Sequence, residues 1–334
     1  MVTNKSKRAV SIVALTLILA MVLGTIASAL TGCGAAEKKD DAVIRLGGMK
    51  GATTIGLVNL VDKIGKAETD NNYTFEMYTA GSDVMAAMVA GQVDIATVPA
   101  NVACVMNSKV EGGVSVIDIN TLGVLNCISA GDQISSVADL SGKTVYATGQ
   151  GAVPEYTIRY LLDANGVTDC NLEFKSEPTE IVSIFAENAD AVAILPQPFV
   201  TAALAQNEAL KISFDLNDEW AKVNPDCKIV TGVTVASNSF IKDHKGLVEE
   251  FLKDHKESAD KALSDVDTTA ALVVEQGIIA KEPLAKKAIP SCNITCITGK
   301  EMKSALEGYL KALFEQDPKS VGGSLPGDDF YYGA

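Results

Sequence analysis

One arrangement of predicted strands, turns and helices occurs twice along the chain, and it constrains the fold more than any single motif. In the first copy an apolar run at 44–46 meets a glycine-rich turn, and apolar residues then recur at helical spacing over 55–64. In the second copy a predicted strand at 143–148 meets the turn 149–153, and a helix opened by a proline follows over 154–165. Strands that alternate with helices predict an α/β fold with mainly parallel sheets.

Each copy also ends in the same way, with a short helix, an aspartate, an apolar strand and a proline. Asp94 precedes a strand that ends at Pro99, and Asp190 precedes one that ends at Pro196. Two similar α/β lobes are therefore expected, each with its glycine-rich turn at the carboxyl ends of its strands, where ligands of open α/β sheets bind. Lobes that face each other leave a central ligand cleft lined by helix N-termini, whose N–H groups lack intrahelical partners.

The rest of the chain predicts supporting elements. Ser82 and Asn101 are predicted to cap the helices that follow them. A strand at 230–236 is expected to return the chain to the first lobe, and the aromatic tail ending at Tyr332 is expected to pack on that lobe. Amphipathic helices are predicted over 240–263, 268–276, 284–289 and 300–314.

The amino terminus has the pattern of an export signal. Three basic residues precede an apolar run over 9–29, and Leu30-Thr31-Gly32-Cys33 resembles a bacterial lipobox. This resemblance implies removal of residues 1–32 and a lipid on Cys33, and it argues against an uncleaved anchor, which the length of the run would allow. Residues 33–42 are predicted to be a solvated tether. The protein is thus expected to be lipid-anchored on the extracytoplasmic face of the cell membrane.

Charge and length narrow the class further. The whole chain has a formal charge of −14, and loss of the three basic residues of the signal would leave −17 on 302 residues. Such a negative chain is not expected to bind nucleic acid or an anionic membrane surface, so the lipid is left as the attachment. Its length exceeds the usual size of a single domain, in agreement with two lobes.

Two segments resemble a known family. Residues 88–96, MVAGQVDIA, resemble the x-L-x-x-G-x-V-D-x-A segment of type II bacterial solute-binding proteins, and residues 190–199, DAVAILPQPF, resemble its counterpart in the second lobe. Together with the lipobox, they make the chain similar to the nitrate, sulfonate, taurine and thiamine-pyrimidine-precursor binding proteins of ABC importers. The resemblance implies a type II periplasmic-binding-protein fold that closes on one small molecule and delivers it to an ABC permease and its ATPase.

The resemblance also implies the domain limits and the ligand-binding residues. Lobe 1 would comprise residues 43–130 and 231–334 and lobe 2 residues 131–230, with hinge crossovers near 130–137 and 226–236. The matching cleft positions are Lys50, Gly51, Thr53, Thr54, Gly81, Ser82, Pro99 and Asn101 in the first lobe, and Thr148, Gly149, Gln150, Gly151 and Gln197 in the second. Many relatives have an acidic residue where this chain has Gln197, so a cationic ligand group is not expected there.

The residue types leave several roles open. Lys50 could anchor a sulfonate, carboxylate or phosphate, or it could be a solvated lysine beside a tight turn. Thr53 and Thr54 could cap a helix, contact ligand, or do both. Asn101 and Gln150 could hydrogen-bond a neutral polar ligand. Trp220 is predicted to pack in the protein, with stacking on a ligand ring as the alternative.

Histidines and cysteines give little support to catalysis or to a metal site. His244 and His255 lie in charged segments and are predicted to be solvated, so a nucleophile–histidine system is not expected. Cys292 and Cys296 have no second cysteine pair or histidine cluster near them in the sequence, and no zinc site is expected there. Disulfides and free buried thiols both remain open for Cys104, Cys127, Cys170, Cys227, Cys292 and Cys296.

The sequence therefore favours a lipid-anchored solute-binding protein of an ABC importer, without catalytic residues and without a cofactor. Its ligand would be a small polar or anionic organic molecule. Two alternatives come from other classes. One is a surface ligand sensor that signals to a membrane receptor. The other is an enzyme similar to pyrimidine-precursor synthases, which would need a cofactor lysine, a histidine and a cysteine-rich motif in the cleft.

Overall fold

The alternating pattern of the sequence forms two separate β-sheets in residues 40–131 and 133–334, which the computed structural model describes. One sheet has six strands and the other five, and each is surrounded by helices. The prediction of an α/β fold with two lobes is thereby confirmed. The strands are β1 (Val43–Met49), β2 (Asn72–Tyr78), β3 (Ile95–Pro99), β4 (Val114–Leu122), β5 (Leu125–Ala130), β6 (Thr144–Ala147), β7 (Asn171–Phe174), β8 (Val192–Pro196), β9 (Leu210–Asp215), β10 (Val230–Ser237) and β11 (Ile294–Ile297).

Most helices occupy the predicted regions, with bounds that differ by a few residues, but the two helices within 199–223 were not predicted and the helix predicted over 240–263 is divided in two at His244. The helices are α1 (Ala52–Ile55), α2 (Val58–Gly65), α3 (Gly81–Val89), α4 (Ala100–Lys109), α5 (Val153–Ala164), α6 (Pro178–Glu187), α7 (Phe199–Gln206), α8 (Leu216–Val223), α9 (Asn238–Asp243), α10 (Lys245–Ser264), α11 (Val266–Glu275), α12 (Glu282–Ala288) and α13 (Gly299–Gln316). Short 3₁₀ turns lie at Val137–Leu140, Ile289–Ser291, Pro318–Val321 and Asp328–Phe330.

The predicted signal 1–32, Cys33 and most of the tether lie outside the described residues. Signal removal and lipidation therefore stay predictions. Within the described part of the chain, no helix combines the length and the apolar character that a membrane span requires.

Both sheets are mixed rather than mainly parallel. Their orders are β11-β4-β10-β3-β1-β2 and β7-β6-β8-β5-β9. The strands of each repeated unit pair in parallel, β1 with β2 and β3, and β6 with β7 and β8. β10 and β5 run antiparallel to their neighbours β3 and β8. Each of these strands enters its sheet from the other one, at the edge where the parallel strands end, so it must run in the opposite direction.

The first crossover between the sheets lies earlier than expected. β4 ends at Leu122 and β5 begins at Leu125, so the chain changes sheets at 123–124 and not near 130–137. The carbonyl oxygen of Gly123 accepts hydrogen bonds from the side-chain amides of Asn217, at 3.1 Å, and Asn293. The sequence does not reveal this crossover because β4 and β5 are both apolar and nearly continuous. The second crossover lies between α8 and β10.

The helix predicted over 53–64 is broken into α1 and α2 by a side chain from α10. The hydroxyl of Ser258 donates to the carbonyl oxygen of Gly56 at 2.6 Å and accepts the N–H of Leu60 at 3.0 Å. These are the two groups that would bond to each other in a continuous helix. A polar side chain inserted into the helical ladder is a known cause of helix breaks.

The carboxy-terminal part of the chain contacts the first sheet and also the helix α5, which follows β6 of the second sheet. The tail packs on the first sheet as predicted, since the N–H of Tyr332 donates to the carbonyl oxygen of Val116 at 2.9 Å. Tyr309 of α13 also reaches α5, with its hydroxyl 2.7 Å from that of Thr157. Trp220 is buried beside Tyr309, at a ring-centroid distance of 5.4 Å, so the prediction of a packing role is confirmed.

The structure places the side chain of His255 in the protein interior. The prediction that His255 is solvated was wrong, because its side chain is completely buried between α10 and β4. A charged helix still has one buried face, and His255 lies on it.

The six cysteines of the described residues are free thiols. Burial raises the pKa of the Cys104 thiol to about 12, as expected for an unreactive packing residue.

Candidate functional site

The loop after β1 is held together by two buried threonines. The hydroxyl of Thr54 donates to the carbonyl oxygen of Met49 at 2.6 Å, and that of Thr53 reaches the same oxygen at 3.3 Å. Thr54 Oγ1 also lies 2.9 Å from Oγ1 of Thr97, which accepts the N–H of Met49 at 3.2 Å. α1 begins one residue before Thr53. The two threonines therefore fasten β1 to β3 and do not cap the helix.

Gly51 forms the turn between β1 and α1. Its φ of 142° lies in a region that residues with a side chain rarely adopt. Lys50, just before it, has an exposed side chain, and its backbone N–H donates to the carbonyl oxygen of Tyr78 at 2.8 Å. No hydrogen bond or ion pair holds its ammonium group within the described residues. A ligand in solution can therefore reach Lys50, and the anchoring role stays a prediction.

The loop before α3 contributes little to a buried site. α3 begins at Gly81, and its N-cap is Ala80, which makes no side-chain cap. The prediction of Ser82 as N-cap was therefore wrong, since Ser82 lies inside the first turn with its side chain exposed. Ligand contact by Gly81 and Ser82 stays a prediction.

Asn101 joins three parts of the molecule. α4 begins at Ala100 after Pro99, so Asn101 lies inside the helix and does not cap it, contrary to the prediction. Its side chain is only 1% exposed, and Nδ2 donates to the carbonyl oxygens of Gly151 at 3.2 Å and Ser320 at 3.1 Å. Oδ1 is buried and has no hydrogen-bond partner among the described residues. A buried amide oxygen without a donor is costly, unless a ligand or water supplies one.

The loop after β6 carries an acidic group at its helix N-terminus. Gly149 and Gly151 both have positive φ, of 81° and 73°, and between them Gln150 is exposed. The carboxylate of Glu155, in the first turn of α5, accepts the N–H of Gly151 at 2.8 Å. This carboxylate occupies a donor that could otherwise serve an anionic ligand. Thr148 is buried at the end of β6.

Gln197 is buried at the end of β8, and its hydrogen bonds connect the crossover with α7. Its backbone N–H donates to the carbonyl oxygen of Val124 in the crossover at 2.9 Å. Its Oε1 accepts the hydroxyl of Thr201 at 2.8 Å and the Thr201 N–H at 3.3 Å, and so serves the first turn of α7. The Nε2 group makes no hydrogen bond within the described residues. It is the part of Gln197 that could meet a ligand.

Sequence reasoning missed the polar residues that line the same edge of the first sheet. Gly232 of β10 pairs with Pro99, and a Cβ there would lie 2.4 Å from Thr53 Cγ2 and 2.5 Å from Asn120 Oδ1. The Oγ1 of the preceding Thr231 is buried without a partner. A buried Asn and Thr within apolar strands was the available signal, because such groups need a structural or functional partner.

Two cavities of the described residues are an apolar one lined by Val137, Leu140 and Ile158 with their neighbours, and a surface one around Asn59. Neither is lined by any of the predicted site residues. The structure brings Asn101 and Gly151 together directly. It leaves the side chains of Lys50, Ser82 and Gln150 at the surface.

A family model described as "NMT1/THI5 like" matches residues 74–268 of the chain. The match covers more than half of the 334 residues, including all of the five-stranded sheet and part of the six-stranded one. The chain belongs to the NMT1/THI5-like family. A search of curated proteins gave no match.

Several solved structures share the fold of this chain. An ABC transporter from Parabacteroides distasonis has a TM-score of 0.73 at 22% identity, over 87% of this chain and 99% of that one. The periplasmic aliphatic sulphonate binding protein SsuA from Escherichia coli has a TM-score of 0.69 at 16% identity, over 84% and 94%. The periplasmic nitrate-binding protein NrtA from Synechocystis has a TM-score of 0.56 at 11% identity, over 75% and 69%. This NMT1/THI5-like chain therefore has the type II periplasmic-binding-protein fold.

Proposed function

We propose that this NMT1/THI5-like protein is a lipid-anchored, extracytoplasmic solute-binding protein of an ABC importer. It captures a small polar or anionic organic molecule by closure of two lobes. The observation that carries the proposal is the contact of Asn101 with Gly151. It joins the loops that follow strands of the two sheets and leaves a buried Asn101 oxygen without a donor. The sulphonate-binding protein SsuA and the nitrate-binding protein NrtA, which have this fold, support the same role.

The proposed motion follows from the position of this contact. The first lobe is built on the six-stranded sheet and the second on the five-stranded sheet, with hinges at 123–124 and between α8 and β10. Separation of the lobes breaks the Asn101–Gly151 hydrogen bond and admits ligand to the edge of the sheets. Ligand that contacts both loops then favours the closed state, because only that state offers both sets of contacts.

The chemistry of the loops limits the ligand. The buried groups at this edge are uncharged, namely the side chains of Thr53, Asn101, Thr231 and Gln197. Lys50 is the basic residue of the first loop, whereas the Glu155 carboxylate of the second loop is paired with Arg159 at 2.8 Å. We therefore propose a polar molecule that places an acidic group near Lys50 and an N–H or O–H group near Asn101.

A binding role fits this site better than catalysis. The synthase alternative needs a histidine in the cleft, whereas His255 is completely buried beside Asp118. Incubation of the protein with any ligand that co-purifies should leave that ligand unchanged. Turnover of the ligand would contradict the proposal.

The ligand is tested first by mass spectrometry of gently purified protein, followed by a thermal-shift panel of sulfonates, carboxylates, nitrate and pyrimidines. A true ligand raises the unfolding temperature in proportion to the logarithm of its concentration over its dissociation constant. Asn101→Leu should weaken the best hit about tenfold or more, since a buried polar contact and the closing hydrogen bond are lost together.

The matched control is Ser108→Ala, an exposed position on the same helix α4. It should leave both folding and affinity unchanged. Circular dichroism of the Asn101→Leu protein separates loss of ligand from loss of fold. A folded Asn101→Leu variant with unaltered affinity would contradict the proposed site.

Import and anchoring need separate experiments. Addition of ligand-loaded protein to vesicles that contain the cognate permease and ATPase should raise uptake, and no stimulation would exclude the importer role. Replacement of Cys33 by serine should release the protein from the membrane fraction and remove the mass of the lipid. Retention of Cys33→Ser at the membrane would instead indicate an uncleaved anchor.

A further inference from the structure

A cluster of three metal-binding side chain types lies inside the first lobe, and hydrogen bonds through Thr234 connect it to Asn120 at the edge of the first sheet. Asp118 comes from β4, His255 from α10 and Cys296 from β11. One ligand atom from each residue lies within 4.8 Å of the other two. Asp118 and His255 are completely buried, whereas Cys296 on the edge strand β11 is partly exposed. The cluster is therefore enclosed on one side and reachable from solvent on the other.

The side chains are already oriented by hydrogen bonds. Nδ1 of His255 lies 2.9 Å from Oδ2 of Asp118. The other carboxylate oxygen, Oδ1, accepts the hydroxyl of Thr234 at 2.8 Å, and Thr234 Oγ1 accepts Nδ2 of Asn120 at 3.1 Å. Thr234 and Asn120 are outer partners of the cluster, and such partners commonly fix the direction of the lone pairs of a metal ligand. A metal ion bound to Nδ1 and Oδ2 would replace the proton that His255 and Asp118 share.

The carboxylate of Asp118 has no lysine or arginine as its ion-pair partner within the described residues. His255 is its partner there, and it is charged only when protonated. Lys256, the next residue of α10, binds Asp260 at 2.8 Å, and its ammonium group also interacts electrostatically with the thiol of Cys296. His255 Nε2 is buried and has no hydrogen-bond partner among the described residues. A buried carboxylate normally requires a paired cation or a metal ion.

We propose that Asp118, His255 and Cys296 form a binding site for a divalent metal ion of the Zn²⁺ type. Imidazole, thiolate and carboxylate are the three side chain groups that Zn²⁺ accepts in proteins. Three protein ligands leave a fourth position for water, on the side where Cys296 is exposed. The site would tie α10 and β11 to the centre of the first sheet. It is independent of the proposed solute-binding function.

This proposal differs from the expectation that the sequence supports. Cys292 and Cys296 are four residues apart and lack a nearby histidine in the sequence, which argues against zinc. In the structure Cys292 does not take part, and its thiol donates to the carbonyl oxygen of Ala288 at 3.2 Å. The partners of Cys296 are brought in by β4 and α10, from positions that are distant along the chain.

The test is a titration of the purified protein, stripped of metal with a chelator, with Co²⁺ as a spectroscopic substitute for Zn²⁺. One equivalent of Co²⁺ should produce a thiolate-to-cobalt charge-transfer band together with visible bands of low-symmetry Co²⁺, and Zn²⁺ should displace them. Cys296→Ser should remove the charge-transfer band and weaken metal binding by about 100-fold or more, beyond the roughly 10–100-fold effect of outer-partner changes. Thr234→Val, which removes only the outer partner, should weaken binding by about 10–100-fold and keep the band.

Cys170→Ser is the matched control. Cys170 is also a partly exposed free thiol, but it lies next to β7 of the other sheet. It should leave the titration unchanged, and circular dichroism of each variant checks that it folds. Absence of a one-to-one complex at millimolar Co²⁺ would overturn the proposal. Binding that Cys296→Ser leaves unchanged would overturn it as well, because the metal would then sit on surface carboxylates.

Discussion

The two copies of the repeated unit have the same order of elements but opposite chemistry in their loops. The first loop carries Lys50 and no acidic residue. Two threonine hydroxyls donate to the carbonyl oxygen of Met49 there. The second carries Glu155, whose carboxylate accepts the N–H of Gly151. Arg159 donates to the same carboxylate at 2.9 Å, so the negative charge of the second loop is paired, whereas the Lys50 ammonium has no partner within the described residues. In the proposed binding mode, the first loop therefore accepts the acidic end of a ligand.

The aspartates that mark the two copies differ in the same way. Asp94 is buried, and its carboxylate accepts the backbone N–H of Arg45 at 3.0 Å and Nε of Arg45 at 2.8 Å. The hydrogen bond to Asp94 raises the pKa of the Arg45 guanidinium. Asp190 is exposed, and its backbone N–H donates to Oδ1 of Asn188 at 3.0 Å. Only the first aspartate ties strands of its sheet together.

The largest expected effect tests the difference between Asp94 and Asp190. Asp94→Ala should lower the free energy of unfolding by about 2–4 kcal/mol, because charged hydrogen bonds to Arg45 are lost at a buried site. The exposed part of Arg45 limits the loss, since solvent can rehydrate its guanidinium. Asp190→Ala is the matched control and should stay within about 0.5 kcal/mol. Urea unfolding of both variants checks the difference, and equal effects would mean that the two aspartates play the same role.

The glycine turns should be the next most sensitive positions. Gly51→Ala and Gly149→Ala should each cost about 1–3 kcal/mol, because an alanine is strained at φ of 142° and 81°. At Gly149 a new Cβ would also lie 2.7 Å from Cγ of Pro154, whereas at Gly51 it meets open space. Gly65→Ala, at the end of α2 and without positive φ, is the control and should be neutral or stabilising by about 0.5–1 kcal/mol. Thermal unfolding measures all three, and a neutral Gly51→Ala would show that the first turn tolerates rearrangement.

The smallest effects concern the charges of the two loops. For an anionic ligand, Lys50→Ala should weaken binding and Glu155→Gln should strengthen it, each by about 0.3–1 kcal/mol or roughly two- to fivefold. Both effects should diminish with added salt, since the groups are near the surface. Isothermal titration with the best sulfonate or carboxylate measures them. Lys143→Ala, an exposed lysine before β6, is the control, and equal behaviour of Lys50 and Lys143 would remove Lys50 from the site.

Much of the fold could be predicted from local patterns. The strands β1, β2, β3, β6, β7, β8 and β10 and the helices after position 238 all follow from apolar periodicity and from glycine or proline at their ends. Such signals are local, and they survive folding because each element buries the face that its pattern defines. The observed bounds differ from the predicted ones by a few residues where the capping residue is another than the predicted one, as at Ser82.

The candidate site could be placed only approximately. The sequence points to the loops after β1 and β6, but it assigns Asn101 to a helix cap, whereas the side chain reaches Gly151 and Ser320, which are 50 and 219 residues away. It also places His255 in solvent and misses Asn120 and Thr231. These residues take their roles from partners that are distant along the chain, and no periodicity carries that information.

The sequence by itself determined the α/β class, the duplication of the unit and the family to which the chain is similar, because those depend on the order of elements and on short motifs. Only the tertiary structure decided which polar groups share a site. The helix break at Gly56 requires the hydroxyl of Ser258. The side-chain amide of Asn101 finds a hydrogen-bond acceptor in the second loop, at Gly151. The grouping of Asp118, His255 and Cys296 requires that a strand, a helix and an edge strand meet. Side-chain chemistry acts over a few ångströms, and the folded chain alone sets which residues lie within that range.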